Sequence, residues 1–525
     1  MREGAEYRPA IQALAANGPD RHAARELGII NGFAATLSDE EVADLKRSND
    51  VLDIEPVMER HLLDAGRTLA PRPTVNPLAL AQTVPYGIDL IHAREVWPHA
   101  RGTNVNIAIF DTGVASNHPD LAPNIAGGFS TLTLNANFFD DHGHGTHVAG
   151  ILAAADNGFG VVGVAPEARL WAVKVLGPDG TGTTEDMIVA ADWVLAKKKE
   201  LGGNWIVSMS LGAGQSSTQE AAAFRRLADN DVLAVAASGN GGNSSLDYPA
   251  GYPSVLSVGA VDSAVKITWF SNGGGTLGVV APGLDVLSSV LMHTVPNAAL
   301  ASGSMNFGGV PLKESRRGDV YAEIINCGYG EPGSCLGDAT GKIAVLRRGL
   351  NIYFAEKVRN AMESGAIGAV IYNNDDDPTP PWSLIRPVCD ADWNCHDDPD
   401  DVSFNWPVVV KLTKTDGEKI LQNGGPITIS SFDDDYGRKS GTSMATPHVA
   451  GVAALLWSLD PSASALDLRR AIELTAKDLG LKGFDAVNGN GLVDALAAAK
   501  ALAPAAFGLP DAPLPQPARR RSTGH

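Results

Sequence analysis

Two kinds of apolar pattern alternate along the middle of the chain, between about residue 83 and residue 290. Short runs such as NVNIAIF, NWIVSMSL and VLAVAAS are largely apolar, whereas longer stretches such as TEDMIVAADWVLAKK and QEAAAFRRLADN have helical spacing. Mostly apolar runs fit strands that are buried on both faces, and their alternation with helices is typical of a parallel sheet covered on both sides. The pattern predicts a doubly wound α/β domain, with functional residues at the carboxyl ends of its strands.

The residues before this domain have a different pattern. The segment GIINGFAATLSDEEVADLKRSNDVLDIEPV predicts a strand, a helix and a second strand, and Ser38 with Glu41 has the spacing of a capping box. A proline-rich stretch, PRPTVNPLALAQT, follows and indicates an exposed, cleavable linker. We therefore expect residues 1–80 to form a separate small α+β domain.

A third composition fills residues 295–435. Acidic runs surround the stretches GKIAVLRRG, FAEKVRNAMESGA and IGAVIYNN, which predict strand, helix and strand. Because structureless loops of this length are rare in compact proteins, we expect an inserted domain that interrupts the main one. The main domain then occupies residues 81–294 and 436–503, and the proline- and alanine-rich residues 504–525 are expected to be a disordered tail.

Length and charge limit what the protein can do. At 525 residues the chain exceeds what one hydrophobic core usually serves, which agrees with several domains. A net charge of −19 argues against nucleic-acid binding through a basic face. No apolar run reaches the ~18 residues typical of a membrane span. We expect a monomer that binds neither nucleic acid nor the bilayer core.

The cysteines all lie in the inserted segment, at Cys327, Cys335, Cys389 and Cys395. An even number in one cluster predicts two disulfides and an oxidising compartment. The short intervals favour pairs 327–335 and 389–395 among three possible pairings, and zinc binding is the alternative. A secreted location needs an export signal, yet MREGAEYRPAIQALAANG has no apolar core behind its first charges.

Four polar residues stand where strands end or helices begin. Asp111 ends NVNIAIF, Asn240 follows VLAVAA in a Ser-Gly-Asn-Gly turn, and His144 and Ser443 stand at the starts of apolar helical stretches. Taken singly, each is most often a turn former or a helix cap. Their order along the chain, Asp, His and then Ser, is one of the known orders of a serine-protease triad, with Asn240 placed to supply an oxyanion donor.

A metal site is the alternative for the histidine. His142, His144 and His147 lie within a few residues of one another, and Asp140 and Asp141 precede them. Histidine and carboxylate side chains are common metal ligands. This alternative would make the protein a metal-dependent hydrolase.

Five sequence blocks together resemble the subtilisin-like peptidases. They are FDTGV, HGHGTHVAG, SLG at 210–212, ASGN and GTSMATPHVAG, in that order. The resemblance implies a subtilisin-like fold and a serine endopeptidase in which Ser443 attacks the peptide carbonyl, His144 transfers the proton and Asp111 orients the imidazole. It implies that Asn240 and the Ser443 backbone N–H bind the oxyanion.

The resemblance also implies where substrate binds. Ser210, Leu211 and Gly212, with Gly180 in GPDGTG, match segments that pair as edge strands with the substrate backbone. Asp247 in LDYPAGYP aligns with the base of the pocket for the residue before the cleaved bond, where a carboxylate would favour Lys or Arg. A solvent-facing turn residue is the alternative for Asp247.

A calcium site follows from the same resemblance, because hard oxygen ligands suit Ca²⁺. The implied ligands are the side chains of Gln82, Asp120 and Asn157 and the carbonyls of Ala155, Phe159 and Val161.

Two further segments resemble domains that accompany these peptidases. Residues 29–56 are similar to their inhibitory propeptide, although its first strand is not found in residues 1–20, so we expect Met1 to lie inside the true propeptide and processing to occur near residues 78–83. The inserted segment is similar to a protease-associated domain. The implied protein is a secreted, self-processed zymogen that acts on proteins or peptides and is inhibited by its own propeptide. The alternative is a catalytically silent binding protein that acts through the inserted domain.

Overall fold

The computed structural model describes residues 24–63, 65, 82–376, 382–389 and 395–510. Contacts divide these residues into two compact units. Unit 1 holds the N-terminal segment to residue 63 with residue 65, then Gln82–Leu291, and the residues from Lys439 onward, whereas unit 2 holds Met292–Arg438. The units are described separately below.

The N-terminal segment of unit 1 carries the predicted capped helix. Strands β1 (Arg25–Leu27) and β2 (Gly32–Ala34) pair antiparallel, and helix α1 (Asp39–Arg47) follows. The Glu41 N–H donates to Ser38 Oγ and the Ser38 N–H donates to the Glu41 carboxylate, which confirms the capping box. The prediction of a second strand within residues 51–57 is wrong, because these residues have no ladder partner within the described ranges and strand β3 (Glu59–Leu62) begins only afterwards.

A seven-stranded parallel sheet forms the centre of unit 1, with strand order β12-β11-β10-β8-β4-β6-β5. Apart from the edge strand β5, its strands are apolar and buried through most of their length, as the sequence pattern predicts, and the doubly wound α/β fold is confirmed. In chain order the elements of this region are α2 (Tyr86–Leu90), β4 (Val105–Asp111), β5 (Ile125–Ser130), α3 (His144–Ala153), β6 (Arg169–Lys174), β7 (Thr181–Thr183), α4 (Thr184–Leu201), β8 (Asn204–Met209), β9 (Leu211–Gly212), α5 (Thr218–Asp229), β10 (Val232–Ala237), β11 (Val255–Val261), β12 (Val279–Pro282) and β13 (Val286–Ser289).

Unit 2 is built on a closed barrel of strand order β14-β15-β21-β18-β17-β16-β22. The predicted strand–helix–strand pattern corresponds to β17, α6 and β18, and the inserted segment is thus an α/β unit of its own. The disulfides Cys327–Cys335 and Cys389–Cys395 are both present, with the favoured pairing. The elements are β14 (Val295–Ser302), β15 (Met305–Pro311), β16 (Gly318–Asn326), β17 (Ile343–Arg347), α6 (Phe354–Glu363), β18 (Gly368–Tyr372), β19 (Pro387–Cys389), β20 (Cys395–Asp397), α7 (Pro399–Val402), β21 (Val408–Leu412), α8 (Lys414–Asn423) and β22 (Pro426–Asp434), and β23 (Tyr436–Lys439) leads back to unit 1.

The last part of unit 1 contains helices α9 (Thr442–Leu459), α10 (Ala465–Thr475) and α11 (Ala495–Leu502). Helix α9 is buried from Thr442 to Trp457 and packs against α3 and several strands of the sheet. The disordered tail was predicted to begin at residue 504, which is too early. Pro504–Phe507 form a 3₁₀ helix, and the Phe507 ring lies 4.3 Å from the His99 ring. The rest of that tail, residues 511–525, lies outside the described residues. No helix of the described ranges combines the length and the apolar character of a membrane span.

Candidate active site

Asp111 and His144 meet at the carboxyl end of the central strand β4. Asp111 is the last residue of that strand, His144 is the first residue of α3, and both are almost completely buried. The imidazole Nδ1 lies 2.8 and 3.0 Å from the two carboxylate oxygens of Asp111. A Cβ on Gly145 would lie 2.1 Å from the Gly113 carbonyl oxygen, so only glycine lets the start of α3 approach the strand this closely.

Asp140 fixes the loop that presents His144, a role that the sequence did not reveal. It accepts hydrogen bonds from the hydroxyl groups of Thr112 and Thr146 and from three backbone N–H groups at the start of α3. Burial alone would raise the pKa of Asp140, but these hydrogen bonds outweigh burial and hold the pKa below its ordinary value. Asp140 is therefore an anionic cap of the helix, which positions the imidazole.

Three side chains of the histidine-rich stretch are engaged in other contacts. Asp140 bonds the first turn of α3, Asp141 pairs with Lys174 at 2.7 Å, and His147 Nε2 lies 3.1 Å from the Val286 carbonyl. Within the described ranges, no group of three or more His, Cys, Asp or Glu side chains is arranged to hold a metal ion. The geometry of the described residues does not support the hypothesis that these histidines bind a catalytic metal ion.

Ser443 is the second residue of the buried helix α9. Its Oγ lies 2.7 Å from the carbonyl oxygen of Leu63 and 2.9 Å from that of Ser210, and it donates its hydrogen bond in this direction. The Nε2 atom of His144 is buried and has no hydrogen-bond partner among the described residues. The structure thus shows the Asp111–His144 contact but not a Ser443–His144 hydrogen bond, which requires the serine hydroxyl to turn towards the imidazole.

Asn240 lies beside Ser443 with its amide held in one orientation. Its Oδ1 accepts hydrogen bonds of 2.9 Å from both the backbone N–H and the hydroxyl of Thr442, so its Nδ2 faces the opposite way and donates to the Leu63 carbonyl oxygen. Gly441 has a φ of +155°, and a Cβ there would lie 2.9 Å from the same oxygen. The backbone N–H of Ser443 belongs to the first turn of α9, where no intrahelical acceptor is available.

The segments predicted to bind substrate pair with a strand from the N-terminal part of this same chain. Strand β3 lies between β7 and β9 and pairs antiparallel with both, so that it completes a three-stranded sheet. His61 lies opposite Gly212, Leu62 lies opposite Leu211, and the Leu62 N–H donates to the Gly180 carbonyl at 3.1 Å. The main chain of β3 is thus hydrogen-bonded to a strand on each side. The residue that follows the strand, Leu63, lies next to Ser443.

The Leu63 side chain lies beside Gly212 and Asp247, two of the residues predicted to bind substrate. A Cβ built on Gly212 would lie 3.2 Å from Leu63 Cδ1 and 3.2 Å from Asp247 Cβ, which puts these two side chains beside the same glycine. Burial raises the pKa of the Asp247 carboxyl, and the positive charge of Arg60 acts in the opposite direction. Asp247 is therefore a half-buried residue near this pocket, and its proposed preference for basic side chains stays a prediction.

The residues expected to bind calcium also come together. Gln82 Nε2 donates to the Ala155 and Val161 carbonyls at 2.7 and 3.0 Å, and Asn157 Nδ2 donates to the Asp120 carboxylate at 3.0 Å. The cluster offers a carboxylate, amide oxygens and carbonyls, which is a donor set that suits Ca²⁺. In this arrangement the NH₂ groups of Gln82 and Asn157 donate to the oxygens that a cation would need. Both side-chain amides would have to turn their oxygens inward for a cation to bind. Phe159 completes the predicted ligand set, and its N–H lies 3.3 Å from Asn157 Oδ1.

Two family models match the chain. The Subtilase family model matches residues 102–306 and 405–491, and the PA domain model matches residues 316–420. The first match includes Asp111, His144, Asn240 and Ser443, and the second covers much of unit 2.

Known proteins show the same similarity. Subtilisin E of Bacillus subtilis is 36% identical over 272 residues, which are 51% of this chain and 65% of that protein. Subtilisin DY of Bacillus licheniformis is 42% identical over 219 residues, or 41% of this chain and 77% of that protein. Among solved structures, the psychrophilic subtilisin-like protease Apa1 from Pseudoalteromonas sp. AS-11 has a TM-score of 0.57 and 31% identity, and the match covers 82% of this chain and 100% of Apa1. The chain thus spans slightly less than two thirds of Subtilisin E.

Proposed function

The chain belongs to the subtilase family, and from this membership we propose that it is a serine endopeptidase whose catalytic residues are Asp111, His144 and Ser443. One observation carries the proposal beyond family likeness. The carbonyl oxygen of Leu63 lies within hydrogen-bond distance of both Ser443 Oγ and Asn240 Nδ2, as expected for the carbonyl of a peptide bond about to be cleaved.

The acylation step follows from this arrangement. Ser443 Oγ attacks the carbonyl carbon of the substrate as its proton passes to His144 Nε2, and the resulting imidazolium is stabilised by Asp111 at Nδ1. The oxyanion receives hydrogen bonds from Asn240 Nδ2 and from the Ser443 backbone N–H. His144 then gives its proton to the leaving amine, and water releases the acyl group by the same steps in reverse.

Asn240 offers a direct test of the oxyanion site. Removal of one such donor costs about 10²–10³ in kcat, a magnitude known from a subtilisin. We expect Asn240→Ala to lower kcat by this factor with little change in KM. Asn243→Ala, a neighbouring exposed asparagine, is the matched control. An Asn240→Ala variant with undiminished kcat would contradict the assignment.

We also propose that residues preceding the catalytic domain act as an inhibitory propeptide, and that the first self-cleavage breaks the peptide bond after Leu63. In support, strand β3 pairs with both β7 and β9, which carry or adjoin the segments predicted to bind substrate, and the Ala65 N–H donates to the Ser440 carbonyl at 3.3 Å, so the chain makes contacts on both sides of this bond. The bond between the carbonyl carbon of Leu63 and the backbone nitrogen of the next residue is broken. The amine that leaves becomes a new N-terminus. The expected processing window at residues 78–83 falls largely on residues outside those described, and a cut there would be a later one.

N-terminal sequencing tests this assignment. The active protein should yield a fragment that begins with the Asp-Ala-Gly sequence following Leu63, and Ser443→Ala should remain at full length. A wild-type protein whose earliest fragment starts at residues 78–83 would refute the first cut after Leu63 while leaving the peptidase function intact.

Calcium and an extracellular location complete the proposal. The cluster around Gln82 and Asp120 has the donor chemistry for Ca²⁺, which when bound would cross-link the start of the catalytic domain to the loop at 155–161. One relative, of Bacillus subtilis, is named a minor extracellular protease and is 34% identical over 52% of this chain and 40% of its own length. The two disulfides agree with an oxidising environment.

A further inference from the structure

Strand β3 inserts one charged side chain into the peptidase core. Arg60 is fully buried, whereas the neighbouring side chains of Glu59 and His61 remain 76% and 48% exposed. This difference follows from the alternation of side chains along a strand, which turns residues 60 and 62 away from the face that exposes residues 59 and 61. Counting back from the Leu63 carbonyl, Arg60 is the fourth residue before the bond to be cleaved.

The partner of Arg60 is a carboxylate that is equally buried. Arg60 Nε and Nη2 lie 3.1 and 2.6 Å from the two oxygens of Glu220, so the guanidinium and the carboxylate form a two-point contact. The remaining N–H groups of Arg60 donate to the carbonyls of Gln215 and Glu59 at 3.2 and 3.0 Å. The shape of the pocket and its set of acceptor oxygens therefore match a guanidinium rather than an apolar side chain.

Departure of the N-terminal segment would remove the cationic partner of the Glu220 carboxylate. While Arg60 is in place Glu220 has no exposed surface, and of the contacts seen among the described residues only the Tyr252 hydroxyl, 2.8 Å from Oε2, would continue to donate to its carboxylate after the segment leaves. The positive charge of Arg60 also acts on the carboxyl group of Asp247 and lowers its pKa against the effect of burial, so a second acidic side chain lies within electrostatic reach of this site. A buried carboxylate without a cation is costly, so the pocket favours a cationic replacement.

We infer that the Glu220 pocket selects substrates with arginine at the fourth position before the cleaved bond. The inference rests on the proposed peptidase function and adds a specificity-determining residue to it. Together with Leu63 it predicts preferred cleavage after sequences of the form Arg-Xaa-Xaa-Leu, of which Arg-His-Leu-Leu at residues 60–63 is the example within this chain.

A pair of peptides tests the charge alone. Acetyl-Arg-Ala-Ala-Leu coumarin amide is compared with the same peptide in which citrulline, a neutral side chain of the same shape, replaces arginine. Loss of one partner of a buried, hydrogen-bonded charge pair has large effects, so we expect kcat/KM of the self-processed protein to be at least about 30-fold higher for the arginine peptide. In Glu220→Gln this ratio should fall to near one. Asp229→Asn, which removes an exposed charge from the same helix α5, should keep it.

The outcomes separate this inference from the proposed function. Equal cleavage of the two peptides by the wild-type protein overturns the arginine preference while the peptidase function stands, and it would assign the Arg60–Glu220 pair to propeptide binding only. Failure to cleave either peptide, together with no labelling of Ser443 by a fluorophosphonate, overturns both. The wild-type comparison does not require Glu220→Gln to fold.

Discussion

His448 lies on the same helix as Ser443 and is expected to make the protein sensitive to acid. Its Nδ1 lies 2.8 Å from the Met444 carbonyl. Its Nε2 is buried, has no hydrogen-bond partner in the part of the chain that the structure describes, and faces Gly87, where a Cβ would lie only 2.2 Å away. Burial lowers the pKa of His448 to about 4, and the Met444 hydrogen bond opposes this shift only in part. The imidazole is therefore neutral in the folded protein at neutral pH.

The sign and the size of the effect follow from proton linkage. In the unfolded chain the histidine titrates near pH 6.5. Between this pH and about 4, the unfolded state therefore binds a proton that the folded state does not bind. The stability that the neutral imidazole contributes is complete above pH 6.5 and is lost as the pH falls towards 4. The slope approaches about 1.4 kcal/mol per pH unit, and the total loss is about 3 kcal/mol.

Urea unfolding between about pH 7 and pH 4.5 measures this loss. The Ser443→Ala background prevents self-digestion, and His448→Gln is added to remove the titrating group. The difference in unfolding free energy between the two proteins should depend on pH in the direction given above. His99→Gln, a change at an exposed histidine, is the matched control and should leave the slope unchanged. Equal slopes with and without His448 would refute the reasoning.

Three further predictions concern the active site, the cation and the specificity pocket. Asp111→Asn should leave the fold intact but lower kcat about 10⁴-fold, because the amide favours the wrong imidazole tautomer; steady-state kinetics beside a thermal melt would show whether activity is lost without stability. A chelator should lower the melting temperature of the wild-type protein, and Asp120→Ala should remove most of that response; an unmoved melting temperature would count against calcium. Asp247→Ala should reduce the ratio of cleavage after Lys or Arg to cleavage after Leu, and an unchanged cleavage profile would show that Asp247 does not select the residue before the bond.

The sequence predicts those parts of the site that depend on one strand end or one helix start. Asp111, Asn240 and Ser443 follow or precede strongly patterned elements, and parallel strands bring such positions to one edge of the sheet. The buried role of Asp140 was not predicted, because an aspartate near a histidine cluster is equally compatible with a metal ligand. Only the folded loop shows that its oxygens are used by backbone N–H groups.

Long-range pairing was the part that the sequence could not supply. The strand expected within residues 51–57 forms at Glu59–Leu62 instead, because its partners are β7 and β9, which lie more than a hundred residues away along the chain. The Arg60–Glu220 pair is separated by 160 residues. A periodicity argument has no access to such contacts, since each residue alone has the features of a solvated surface charge.

The central claim, that Ser443 is the nucleophile of a peptidase, is tested most directly by a fluorophosphonate label followed by peptide mapping. Modification should fall on Ser443, should persist in the presence of a chelator, and should disappear in Ser443→Ala and in His144→Ala together with peptide hydrolysis. Hydrolysis that survives Ser443→Ala, or a label that reacts at another residue, would contradict the account.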